Sequence, residues 1–175
     1  LADVLSQFSV APLWFSSCIT ACGVINTYAE PRQLGSDRWA ALIAARALYS
    51  GDCLVVMAGT ATTVDLLTRS GEFRGGLVIP GTKMMKQALT SQTAGLPMGC
   101  GSIDDTPKNT LDAIETGCLY AQLGAIERMF ARHCNDGLCI LSGGAAGALT
   151  GLLNIPYRVV DNLVLEGLVR MVKTR

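Results

Sequence analysis

Cys53-Leu-Val-Val-Met-Ala-Gly-Thr-Ala-Thr-Thr-Val-Asp-Leu-Leu67 is the stretch from which the rest of the chain can be read. Residues 53–57 form an apolar, strand-like run and residues 63–68 a second one, so the segment predicts a β-hairpin. Its turn is built from Gly59, Thr60 and further small or hydroxyl residues instead of the usual Asn-Gly. Glycine lets a ligand approach the backbone closely, and nothing bulky shields the amides of the turn. Thr60, Thr62 and Thr63 add hydroxyl donors for phosphate oxygens. A hairpin that only reversed the chain would need none of this, and the composition points to a turn that grips phosphate.

Upstream of the hairpin, Ser36-Asp37 is a helix N-cap signal and the apolar spacing from Arg38 to about Tyr49 is helical. Before it lie a short strand at 12–16, an apolar stretch from Cys22 to Tyr28, and a turn-rich segment at 30–35. Downstream, 71–76 reads as a turn, Leu77-Val78-Ile79 as an apolar strand, Pro80-Gly81 as a break and 82–92 as a helix. The glycine-rich stretch 93–107 reads as a loop, and a long helix is expected from about Thr110 to Arg132. A buried strand at 138–141, Ser142-Gly143-Gly144, a helix near 146–153, a strand ending at Val159-Val160 and a helix at 163–173 complete the chain. Hairpin strands followed by alternating helices and single strands indicate an α/β layered fold.

The composition excludes several classes. With 175 residues, half of them apolar and 16% charged, the chain is a globular protein of one or two small domains. Fourteen acids balance 14 bases, so there is no net field to attract nucleic acid or an anionic membrane. No apolar run is long enough to span a bilayer, and no signal-peptide pattern opens the chain. The seven cysteines are an odd number and several lie in apolar runs, which favours reduced, buried thiols in a cytoplasmic protein over a disulfide framework. His133 and Cys134 with Cys139 resemble a zinc cluster only loosely, since the chain has one histidine. The opening residues LADVLSQFSV look like a domain interior, and the chain is expected to be a fragment.

Each candidate for chemistry has two readings when taken alone. Asp37 is either a helix cap or a carboxylate that accepts a proton from a substrate hydroxyl while Arg38 holds an anion. Gly143-Gly144 is either an ordinary strand-to-helix link or a point where the backbone comes close to a purine and ribose. Gly75-Gly76 and Pro80-Gly81 can be turn punctuation, Asn109-Thr110 is either a helix cap or a cap whose threonine also reaches a ligand, and Tyr28 is a half-buried structural residue or a ligand contact.

The ordered series is more specific. Asn26-Thr-Tyr28, Pro31, Leu34-Gly35-Ser36-Asp37-Arg38-Trp39, the Gly-Thr hairpin, Gly75-Gly76, Pro80-Gly81, Thr93-Ala94, Leu96-Pro97, Asn109-Thr110, Ser142-Gly143-Gly144 and the 162–168 run follow one another. This series resembles the type III pantothenate kinases, of the acetate and sugar kinase/Hsc70/actin superfamily, and within them the branch that includes the Bvg accessory factor. The resemblance implies an actin-like, ribonuclease-H-like ATPase fold whose first domain is incomplete here. Residues 1–35 would be the end of that domain and 36–175 the second.

It further implies transfer of the γ-phosphoryl of ATP to the terminal hydroxyl of pantothenate, the first step of coenzyme A synthesis. Asp37 corresponds to the proton acceptor. Tyr28, Gly35, Ser36, Asp37, Arg38 and Thr110 correspond to pantothenate contacts, with Thr110 reaching a site at the interface of a homodimer. Gly59, Thr60, Gly143 and Gly144 correspond to ATP contacts. Mg²⁺ and a monovalent cation, potassium or ammonium, are the expected cofactors. Two features depart from the family pattern. Met57 stands where an aspartate helps to hold the monovalent cation, and a thioether is a poor ligand for a hard ion. The phosphate-gripping Asp-x-Gly-Asn-[Thr/Ser] segment does not occur, as truncation of the first domain would explain. A non-catalytic accessory protein of the same fold is the competing reading, and another sugar or acid kinase of the superfamily a third.

Overall fold

The computed structural model describes residues 12–93, 95–97, 99–134 and 136–174. The expectation that the opening ten residues are a domain interior, and the Ala94 position of the motif series, lie outside these. Among the described residues the elements are β1 (Thr20–Ala21), β2 (Val24–Asn26), α1 (Ser36–Leu48), β3 (Cys53–Ala58), β4 (Ala61–Leu67), β5 (Glu72–Pro80), α2 (Thr82–Gln92), α3 (Thr110–His133), β6 (Leu138–Ser142), β7 (Tyr157–Val159) and α4 (Leu163–Lys173). The strands form one mixed sheet in the order β1-β2-β5-β4-β3-β6-β7. The predicted hairpin is its centre: β3 and β4 pair antiparallel from Cys53↔Leu67 to Ala58↔Thr62, leaving Gly59 and Thr60 at the tip.

Alternation along the strands sorts the core into two halves. Cys53, Val55, Leu67 and Ile140 face one way and pack with Trp39, Leu42 and Ile43 of α1 and Leu163 of α4. Leu54, Val56, Val64 and Leu141 face the other way and pack with Leu119, Leu123, Ile126 and Phe130 of α3. α1 is buried from Arg38 through Ala45, which explains its run of alanines: α4 lies directly on it.

Several sequence expectations are corrected. Residues 12–16 carry no strand; Pro12 lacks an amide donor and residues 12–14 are exposed. Gly71 to Gly76 is not a turn throughout, because β5 begins at Glu72 and absorbs both glycines at a register shift opposite Asp65 to Leu67. The helix near 146–153 is reduced to a 3₁₀ turn at Ala146–Ala148, where Gly147 and Gly151 weaken helical propensity. The cap of α1 is Gly35, so Ser36 and Asp37 are its first two residues. Asn109 does cap α3, accepting a bond from the Asp112 amide at 3.0 Å.

Candidate active site

Within the apolar strand β4, Asp65 is 1% exposed and lies on the face turned to α1. Its neighbours across the sheet are Val55 on β3 and Gly76 on β5. Arg38 reaches down from the first turn of α1 and pairs with it side-on. Nε donates to Oδ2 at 3.1 Å and Nη2 to Oδ1 at 2.5 Å. A Cβ on residue 76 would lie 2.2 Å from Asp65 Oδ1, so only glycine leaves room for this carboxylate. The guanidinium also packs against two rings, 5.9 Å from the Tyr28 centroid and 5.8 Å from that of Phe73. These rings touch each other at 5.1 Å.

Burial sets the electrostatics. It pushes the Asp65 carboxyl up, against the opposing pull of Arg38. It also works against the charge on Arg38, but the bond and field of Asp65, helped by Tyr28, override it and hold the guanidinium above its ordinary value. The Thr63 hydroxyl lies close enough to favour the charge on Asp65 without making a bond of hydrogen-bond geometry.

Above this pair, Gly35, Ser36 and Asp37 are exposed at the N-terminus of α1. Asp37 Oδ1 accepts the Arg38 amide at 2.8 Å, which fixes the carboxylate over the helix start. The preceding turn is held by Ser17, whose hydroxyl bonds the carbonyls of Pro31 at 2.8 Å and Leu34 at 2.7 Å. Tyr28 is oriented through Asn26, whose Oδ1 accepts the Tyr28 amide at 3.1 Å. Tyr28, Asp37 and Arg38 are therefore one cluster around Asp65.

The hairpin tip forms a second cluster at the end of the same sheet. Gly59 and Thr60 are exposed there, and the strand-end loop of β6 packs against Ala58, the residue before them. Gly143 has φ +102°, and a Cβ on it would meet the Ala58 carbonyl at 2.2 Å. The Ala145 amide then donates to that carbonyl at 3.0 Å. Gly143, Gly144, Ser142 and Met57 line a cleft of about 460 Å³ with Asp161 and the start of α4. Met57 pairs with Thr63 on one side and Ser142 on the other, so its row lies between Asp65 and the tip. From Asp65 along β4 to Thr60, just beyond its start, is at most about 16 Å at the usual strand rise.

Thr110 is not part of either cluster. It starts α3, which covers the opposite face of the sheet, and it lines an apolar groove of about 670 Å³ between α2 and α3 with Met85, Leu89 and Ile114. Asp65, Phe73 and the steric role of Gly76 were not singled out by the sequence reading. The signal for Asp65 was present: a carboxylate set among Thr63, Val64, Leu66 and Leu67 interrupts an apolar strand and demands a partner.

Comparison with known proteins places these features in context. A family model described as type III pantothenate kinase matches residues 1–132. The type III pantothenate kinase of Aromatoleum aromaticum is 53% identical over 170 residues, 96% of this chain and 70% of its own length. That of Azoarcus sp. strain BH72 is 51% identical, covering 96% of this chain and 65% of its own length. The kinase of Nitrosospira multiformis is 46% identical over 179 residues, 99% of this chain and 68% of its own. The chain thus spans about two thirds of the length of these relatives. A solved structure of a conserved Baf family protein from Campylobacter jejuni superposes with a TM-score of 0.64 at 24% identity, over 87% of this chain and 69% of that one; the likeness is one of fold.

Proposed function

Because the chain belongs to the type III pantothenate kinase family, with its actin-like α/β fold, we propose that it carries the acceptor site and part of the nucleotide site of an enzyme that phosphorylates pantothenate with ATP. The observation that carries this reading is the placement of both clusters along one sheet. Tyr28, Asp37 and Arg38 gather at the α1 start, and Gly59, Thr60, Gly143 and Gly144 gather at the hairpin tip.

In the proposed reaction, pantothenate lies against Tyr28 and Arg38, its carboxylate or amide held by the guanidinium and by amides at the start of α1. Asp37 accepts the proton of the terminal hydroxyl as its oxygen forms a bond to the γ-phosphorus of ATP. The bond from that phosphorus to the β,γ-bridging oxygen breaks, and ADP leaves. Phosphoryl transfer of this kind depends on in-line positioning and charge stabilisation, which a fixed carboxylate and close backbone donors supply. Gly143 and Gly144 bring backbone to the nucleotide, and Thr60 offers a hydroxyl to its phosphates.

The residues do not fit a tightly held monovalent cation. At the position expected for a carboxylate the chain has Met57, flanked by the hydroxyls of Ser142 and Thr63, and Thr63 Oγ1 is buried without a hydrogen-bond partner. The carboxylate of Asp65, the nearest on that face of β4, is committed to Arg38. Among the described residues there is no group of three or more acidic, histidine or cysteine side chains placed to hold a metal ion.

We also assign the apolar groove between α2 and α3 to a second copy of the chain, which would let Thr110 complete the partner's pantothenate site. The seven free thiols favour a cytoplasmic location, and no described helix is long and apolar enough to cross a membrane. The decisive test is a phosphorylation assay on the complete protein with ATP and pantothenate. One ADP should appear per phosphopantothenate; folded protein that yields no product overturns the reading and favours the accessory role.

A further inference from the structure

The Arg38–Asp65 pair is costly to place in a sheet interior. Asp65 is 1% exposed and the Arg38 side chain 10% exposed. Buried pairs of this kind add little net stability over a well-packed apolar pair, so their value has to be sought elsewhere. The geometry shows what it does. Asp65 takes Nε and Nη2 and leaves Nη1 out of the pair, while Tyr28 and Phe73 flank the guanidinium. A side-on carboxylate pair fixes the plane of the group as well as its place, and therefore fixes the direction of the remaining N–H donors. Gly76 and the register shift in β5 serve the same end, since they clear the space that the Asp65 carboxylate occupies.

The geometry points to Asp65 as a positioning residue that aims the Arg38 guanidinium at the anionic end of the acceptor substrate. This inference rests on the proposed kinase reading and assigns it a residue that touches neither substrate. It separates Asp65 from Asp37, which sits exposed above the pair. Loss of Asp65 should weaken acceptor binding, because the donors of Arg38 would no longer be held in one plane. It should leave the proposed ATP cluster, about 16 Å away along β4, untouched.

The test uses the complete protein and separates KM from kcat. Asp65→Asn should raise KM for pantothenate roughly tenfold or more, the range for a charge-assisted hydrogen bond, with kcat and KM for ATP within about threefold of the parent. Combined with Arg38→Lys it should add little further, because both changes remove one aimed donor set. A folded Asp65→Asn with parental KM for pantothenate, or effects of the two changes that simply multiply, overturns the proposal. If Asp65→Asn does not fold, the apolar replacement Arg38→Met with Asp65→Leu provides the second arm. It should fold and lose pantothenate affinity to the same extent, whereas parental affinity there reduces the pair to a structural role. Failure of the parent protein to phosphorylate pantothenate at all is a different result and removes the kinase reading instead.

Discussion

Asp37 and Met57 are single side chains on which much of the proposed chemistry turns. Asp37 is exposed and fixed by the Arg38 amide at 2.8 Å, the arrangement expected of a carboxylate that meets a hydroxyl group arriving from solvent. Asp37→Asn keeps the shape and removes the base, so kcat should fall by roughly two to four orders of magnitude with a much smaller change in KM for pantothenate. A steady-state comparison checks this, and parental turnover would leave Asp37 as no more than a stabiliser of the helix start. Met57 offers sulfur where a hard cation wants charged oxygen. Turnover should therefore respond little to replacing sodium by potassium, and Met57→Asp, beside Ser142 and Thr63, should create a potassium response. Titration of activity with potassium chloride at constant ionic strength reads both effects.

Among the elements, α1 and α4 are pressed together more closely than ordinary helices. A Cβ on Gly167 would fall 1.9 Å from the Ala40 carbonyl, so backbone meets backbone at this crossing. Gly167→Leu should force the helices apart and destabilise the fold by about 3 kcal/mol, seen as a lower urea midpoint with little change in slope. Because α1 carries Arg38 and Asp37, the same variant should lose activity at denaturant concentrations where the parent is still folded. The hairpin, α2, α3 and α4 were legible from local pattern, because each has a clear period and a recognisable end. The start of β5 was not. Gly75-Gly76 has the composition of a turn, and only its pairing with β4 shows that Gly76 makes room for Asp65 within a strand. The stretch after β6 misled in the opposite direction, since Gly147 and Gly151 break a pattern that apolar spacing alone favours.

For the molecule as a whole, the cysteines and the α2–α3 groove give two measurable properties. Burial pushes the thiols of Cys53 and Cys139 up to about 12 and that of Cys134 up to about 11. In the unfolded chain these groups ionise near their ordinary value of 9.0, so the unfolded state releases protons that the folded state keeps. The contribution of these thiols to stability should therefore be constant below about pH 9 and fall between pH 9 and 12, which denaturation midpoints across that range will show. Native protein at neutral pH should react with iodoacetamide at exposed Cys18 and Cys100 and not at Cys53, Cys134 or Cys139, as peptide mass spectrometry can establish. In the groove, Ala113 is an exposed wall residue. If the proposed dimer forms, Ala113→Arg should convert it to a monomer in sedimentation velocity and raise KM for pantothenate by removing Thr110 from the partner's proposed site. A parent protein that sediments as a monomer ends that proposal.

The chain's letters on their own settled the α/β class, the glycine-threonine hairpin, most helix spans and the family, because periodicity, caps and ordered motifs are local properties. They did not settle which strands are neighbours. β2 lies parallel to β5 and β3 to β6, and these pairings join residues far apart in sequence. Alternation tells which side of a strand a residue faces but not what stands opposite it. Hence the meeting of Arg38 with Asp65, 27 residues away, and the separation of Thr110 from both clusters, appeared only in the folded structure.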